Sequence, residues 1–240
     1  MKLKLIACNV FQKELEYLIP HSPHQIDVEF LEIGEHSRPT LLRQKLQERI
    51  DGAGDCDAVL LAYGLCGRAT DTLRSGNVPL ILPRSHDCCG ILLGSRKRFE
   101  EYFSAMPSTP FSSVGFIEHG DYCFRDGEIL FGEGGYEELV EQYGEDNARY
   151  VWEAMHPRLD GELQPVYFIG TPEIPFAEAE KLCRAHAAEE GREVRNLSGD
   201  LRLLAMLLNG DWHDDEFLTV PPGGSIRLLG DWDQIMTLGN

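Results

Sequence analysis

Ala58-Val59-Leu60-Leu61-Ala62-Tyr63-Gly64-Leu65-Cys66-Gly67 is the stretch on which the fold turns. Ala58–Tyr63 is a continuous apolar run, the pattern of a strand buried on both faces. Upstream, Lys2–Ala7 reads as a first strand and Gln12–Ile19 as a helix with Leu15, Leu18 and Ile19 on one face. Ile26–Ile33 alternates Ile26, Val28 and Phe30 against Asp27 and Glu29, which suits a strand. Thr40–Ile50 sets Leu41, Leu42, Leu46 and Ile50 at helical spacing, with Pro39 at its start. Downstream, Asp71–Ser75 is expected as a short helix, Val78–Leu82 as the next strand and Ser95–Phe103 as a helix. Val114–Ile117 is the candidate fifth strand.

Strand and helix in alternation predict a parallel sheet covered on both sides, an α/β, Rossmann-like three-layer fold. The pattern breaks over 121–136, where glycines and aspartates without periodicity read as a loop or small hairpin. Tyr136–Met155 reads as one long helix that Pro157 ends. The alternation then resumes with strand Val166–Ile169, helix Phe176–Glu190 before Gly191, strand Glu193–Leu197, helix Leu201–Leu208 and strand Glu216–Val220. Two α/β runs joined by a long helix are therefore expected: an N-terminal unit over 1–124, a connecting segment over 125–160 and a C-terminal unit over 161–240 packing against the first.

The chain has 240 residues, long enough to bury a substantial core as one large domain or two lobes. Its 22 Lys+Arg against 40 Asp+Glu leave a net charge of −18, which argues against nucleic acid or an anionic membrane as partner. No apolar run approaches the roughly 20 residues of a membrane span. The N-terminus reads as a strand rather than a signal peptide, so the expected compartment is the cytoplasm. Thiols stay reduced there, and seven cysteines, an odd count, point to ligand, redox or core roles rather than disulfides.

Position is the strongest functional signal. Cys8 follows strand one, Cys66 follows strand three, and Cys88 and Cys89 follow strand four in Pro83-Arg84-Ser85-His86-Asp87-Cys88-Cys89-Gly90. His36 lies after strand two and His119 after the candidate fifth strand. In a parallel sheet these loops emerge at one edge, the carboxyl edge, where ligands bind. Thiolates and imidazoles select zinc, iron or copper, and three protein ligands leave a position open for water or substrate. Cys8, Cys66 and Cys88 are the expected metal ligands, with His36 or His86 as a fourth ligand or a base. Cys56 and Cys183 read as core or filler; Cys123 carries no assignment.

Other residues have two readings. Gly64 and Gly67 bracket a loop whose amides, with Arg68 and Arg84, would hold an anion, although Gly67 equally serves a tight turn. Arg84 is a candidate for an anionic group of the ligand, against the commoner use of such an arginine in an ion pair. Asp200 is an N-cap by the commoner reading and a cofactor-binding residue by the other. Pro221-Pro222-Gly223-Gly224 follows a strand and is a candidate for the same wall. Asp211, Asp214, Asp215 and Glu216, around Trp212 and His213, read as a solvated face.

These residues also resemble a known family. Ala7-Cys8, His36 with Pro39, Tyr63–Gly67, Pro83–Cys88, Gly199-Asp200, Gly210-Asp211-Trp212 and Phe217–Gly223 are similar to motifs of an uncharacterised domain-of-unknown-function family of anaerobic bacteria and methanogenic archaea. Its members are often encoded near corrinoid-dependent methyltransferases. The resemblance implies a role in anaerobic one-carbon metabolism, with a corrinoid, a corrinoid protein or a methyltransferase as partner. The expectation is thus a metal-thiolate protein, zinc or iron, with a small-molecule ligand and either a transferase activity or a carrier role. Thiol redox chemistry at Cys88-Cys89 is the third reading.

Overall fold

The computed structural model describes residues 1–33, 38–104, 109–120, 140, 144, 145, 149, 163–229 and 235–239. The protein is mixed α/β, with a mostly parallel central sheet and helices packed against it. Strands β1 (Lys2–Cys8), β2 (Gln25–Leu31), β3 (Ala58–Ala62) and β4 (Leu80–Pro83) pair in parallel in the order β2-β1-β3-β4. Helices α1 (Gln12–Leu18) and α2 (Pro39–Asp51) make the first two crossovers. The chain leaves β1 to one side for β2 and returns past it to β3. Strand order therefore reverses at β1, and the loops after β1 and β3 diverge. Every residue of β3 and β4 is buried, as the apolar run predicts for central strands.

After β4 the chain forms α3 (Cys88–Leu92), α4 (Arg96–Phe103), the two-residue strand β5 (Phe111–Ser112) and α5 (Val114–His119). Next come β6 (Val166–Gly170), α6 (Ala177–Glu189), β7 (Val194–Ser198) and α7 (Arg202–Asn209). The last strands are β8 (Phe217–Val220), β9 (Ile226–Leu228) and β10 (Met236–Leu238). Strands β5, β6 and β7 form a second parallel sheet, and β9 and β10 a small antiparallel ribbon. Strand β8 returns to the first sheet and pairs antiparallel with β4, Leu80 opposite Val220. The C-terminal part is thus shared among the two parallel sheets and the ribbon.

Two expected elements differ. Val114–Ile117 is the start of a helix, not a strand; Ile117 N–H donates to Ser113 O, and the strand is the pair before it. Four apolar residues do not distinguish helix from strand, and contacts elsewhere decide. Asp71–Ser75 is a turn followed by an isolated bridge from Arg74 to Ser225. Helix α3 was not anticipated; Asp87 caps it. The expected helix Tyr136–Met155 lies outside the described residues apart from 140, 144, 145 and 149.

Helix α7 buries Leu203, Leu204, Leu207 and Leu208 in the core of the first sheet. Each such leucine adds about 2 kcal/mol of burial. Helix α6 buries Ala179, Cys183 and Ala187 beside Val166 and Phe168 of the second sheet. Cys183 is accordingly core filler, as its place in a helix suggests. Among the described residues no helix is long and apolar enough to cross a membrane.

Candidate functional site

The carboxyl ends of β1, β3 and β4 carry the site. β1 ends at Cys8, and a 3-10 turn, Asn9–Phe11, follows at once. The sulfur of Cys8 is buried and accepts from the Val10 N–H. Burial pushes its thiol up to about 12, against the modest help of that amide.

β3 leads into Tyr63–Gly67, which is zipped to the loop after β4. Leu65 N–H lies 3.0 Å from both Ser85 O and His86 O, and Cys66 N–H 3.4 Å from His86 O. A Cβ on Gly64 would fall 2.7 Å from Asp87 N and 2.8 Å from Ser85 O, so only glycine lets the two loops close. The chain then makes a left-handed turn. Cys66, Gly67 and Arg68 have φ of 45°, 61° and 73°, and Ala69 N–H closes the turn on Cys66 O at 3.1 Å. Left-handed backbone costs a non-glycine residue about 1–2 kcal/mol. The Arg43 guanidinium, 2.7 Å from Arg68 O, helps to hold it.

β4 leads into Arg84–Asp87 and then α3. Asp87 Oδ1 accepts from Gly90 N–H at 3.2 Å, capping the helix that opens with Cys88. Ser85 Oγ donates to Asp87 O at 2.8 Å. Burial raises the Asp87 carboxyl to about 6 despite amide donors from Gly90 and Cys89.

Cys8, Cys66 and Cys88, separated widely in sequence, meet here. The Cys66 thiol is raised first by burial and then by the charges of Cys8 and Asp87. Cys88 is raised by burial, then by Asp87, Cys66, Cys8 and Cys89. Cys89 is raised by burial and by Asp87, and neither Cys8 nor Cys66 acts on it. Burial thus favours the neutral form of all three thiols. Among the described residues no three His, Cys, Asp or Glu side chains stand at separations that hold a metal ion as they are. The donor chemistry nonetheless fits a soft ion, since thiol sulfurs predominate.

The remaining expected residues have definite places. The His86 ring packs on Phe99, with centroids 5.6 Å apart, while its carbonyl serves the β3 loop. Arg84 spends its guanidinium on main-chain carbonyls: Nε lies 2.7 Å from Asp214 O and 3.2 Å from Phe217 O, and Nη1 bonds Met236 O. It clasps β4 to β8 and β10, and the Asp214 charge supports it from outside. Gly67 serves the left-handed turn and packs near Pro39. Asp200 Oδ1 accepts from Arg202 N–H at 2.8 Å at the entry to α7, the capping reading, with its own N–H on Leu92 O. Arg68 is exposed and pairs with Asp71 at 2.8 Å. His119 ends α5 rather than a strand. In the acidic stretch Asp211, Asp214 and Asp215 are exposed, and Glu216 pairs with Arg202. His36 and Cys123 lie outside the described residues.

Two features escaped the sequence reading. Asp87 sits three residues before Gly90, a capping spacing present in the sequence, but α3 has five residues and too short an apolar period to mark a helix. A cleft of about 280 Å³ opens at the second sheet's carboxyl edge between Phe168, Pro172, Phe176 and Asn196. Asn196 is already bonded there to Glu180 and Arg184.

No curated protein and no solved structure matches the chain. One protein family does, over residues 30–208, a span that includes the loops of Cys66 and Cys88, strands β6 and β7 with α6 between them, and α7 up to Leu208. The chain belongs to that family, described as protein of unknown function (DUF1638).

Proposed function

We propose that this is a metal-thiolate protein of Rossmann-like, three-layer build, in which Cys8, Cys66 and Cys88 hold zinc or iron in the crevice at the strand-order reversal. The observation that supports this most is the convergence of three buried thiols, from three strand ends, beside the buried carboxyl of Asp87. Each cysteine turns about a single side-chain bond, and rotamer change is the movement that would bring the sulfurs to ligand spacing. Three thiolates leave a fourth position for a substrate. A bound ion would supply Lewis acidity and keep a thiol placed there as thiolate at neutral pH.

The chain's own residues steady the sulfurs. Val10 N–H donates to Cys8, the left-handed turn presents Cys66, and Asp87 holds the first turn of α3 and thereby Cys88. Thiol activation of this kind suits corrinoid-linked methyl transfer in the cytoplasm, the role that the motif resemblance suggests. A carrier of metal or corrinoid would use the same ligands without turnover.

Anaerobic purification with elemental analysis tests the reading. Near-stoichiometric zinc or iron is expected in wild type and in Cys89→Ser, and loss of it in Cys8→Ala, Cys66→Ala and Cys88→Ala. No metal in wild type after reconstitution overturns it.

A further inference from the structure

We propose that Ser112 and Ser113 form the second wall of the thiol site and bind an uncharged small molecule through an oxygen or nitrogen acceptor, opposite Cys8, Cys66 and Cys88. The proposal takes the location of the site from the reading above but does not require the metal.

Ser112 ends β5 and Ser113 follows it, and both are buried, at 0% and 1% exposure. Among the described residues neither hydroxyl has a hydrogen-bond partner. Ser113 stands at the entry to α5 with extended backbone, yet makes no capping bond. A buried hydroxyl without a partner costs free energy that nothing else in the fold returns, and native proteins keep few of them. Two in succession, at the carboxyl end of a parallel strand, occupy the place where α/β sheets hold ligands.

The contact between the sheets brings the segment that carries these hydroxyls against the turn after Cys8, and the alternation of an extended chain points the two to opposite faces. A Cβ on Gly115 would overlap the Val10 carbonyl oxygen, so the backbone of α5 touches the turn that follows Cys8. Val10 thus serves both walls, its N–H on the Cys8 sulfur and its carbonyl against Gly115. The ends of β6 and β7 meet α3 in the same way. Asp200 N–H donates to Leu92 O at 2.9 Å, and a Cβ on Gly199 would crowd Thr171 and Leu92. The carboxyl edges of the two sheets therefore face each other across Val10 and α3.

The chemistry of the walls selects the ligand. Cys8, Cys66, Cys88, Asp87, Ser112 and Ser113 include no cation, so an anion would gain no counter-charge among them. Hydroxyls offer dipoles, which suit an amide, carbonyl or alcohol.

The full-length chain carrying Ser112→Cys or Ser113→Cys, oxidised with diamide and mapped by mass spectrometry, tests the placement. A disulfide from at least one of these positions to Cys8, Cys66 or Cys88 is expected; bridges to none of them overturn the proposal. Ser112→Ala and Ser113→Ala should raise the Tm, by about 2–4 °C if one unpaired group is relieved. A lowered Tm would show hydroxyls bonded inside the fold and overturn it. Alkylation tests the ligand class, with Cys56, half-buried, as internal reference. Iodoacetamide should outpace iodoacetate at the cluster thiols by about tenfold more than at Cys56, roughly one hydrogen bond. The doubly substituted serine-to-alanine protein should lose that excess; equal ratios overturn the ligand class. A bridge without metal in wild type removes the metal reading alone, and metal without a bridge removes this one alone.

Discussion

The two parallel sheets reach their carboxyl edges with different chemistry. The first ends in Cys8, Cys66, Asp87 and Cys88; the second ends in Ser112, Thr171 and Ser198. The first reverses strand order at β1, so the loops after β1 and β3 lead to opposite sides of it. The second runs β5-β6-β7 in one direction and has no such reversal. Its buried cysteine, Cys183, sits in a helix and fills space. A thiol becomes a candidate ligand here through the strand end that carries it, not through burial, since Cys183 and Cys89 are as buried as Cys8. The second sheet ends in hydroxyls, and it meets the first at Gly115 against Val10 and at Asp200 against Leu92.

The Gly115 contact is the first place to break the comparison. Gly115→Ala drives a methyl group into Val10 O, with backbone on both sides unable to yield. A loss of about 3 kcal/mol or more in urea unfolding is expected. Gly191→Ala, at the end of α6 with φ of 72° and only Leu163 Cδ1 at 3.9 Å from the added methyl group, should cost only about 1 kcal/mol. Equal effects would mean that the sheets do not depend on this contact.

Glu14 sharpens the comparison from beneath the same turn. It is 2% exposed, and burial raises its carboxyl from 4.5 to about 7, with Glu118 adding to the shift. A raised carboxyl means that the folded state holds its proton longer than the unfolded one. Its contribution is complete below pH 4.5 and is lost as pH rises through 7. The span corresponds to about 3 kcal/mol. Glu14→Gln should flatten stability between those limits and stabilise the protein relative to wild type above pH 7. Parallel pH curves for the two proteins would refute the assignment.

The smallest effect concerns the left-handed turn. Arg68→Gly relieves one strained residue but gives up an exposed ion pair to Asp71 and adds chain entropy to the unfolded state. The net should be a gain within about 1 kcal/mol, with metal content unchanged. A clear loss would show that Arg68 holds the turn through its side chain.

Most of the first sheet was legible because periodicity reports burial directly. The run Ala58–Tyr63, the alternation of Ile26, Val28 and Phe30, and the helical spacing of Leu42, Leu46 and Ile50 correspond to β3, β2 and α2. Val114–Ile117 was misread because four apolar residues carry no period, and the helix there answers to the Val10 carbonyl. The strand Glu216–Val220 was recognisable, but its return to β4 was not, because nothing local distinguishes an antiparallel partner from the next parallel one. At the site, the gathering of Cys8, Cys66 and Cys88 followed from topology. The capping by Asp87, the engagement of Arg84 with three carbonyls and the unpaired hydroxyls of Ser112 and Ser113 did not.

The sequence by itself determined the α/β alternation, the strand ends that bear thiols and the acidic surface, because hydrophobic period and side-chain chemistry are local properties. Only the tertiary structure decided which sheet each C-terminal element joins, which arginine is spent on carbonyls, and which polar groups are buried without partners. Those outcomes depend on contacts between residues more than a hundred positions apart, such as Arg84 with Asp214 and Phe217, and packing alone brings such residues together.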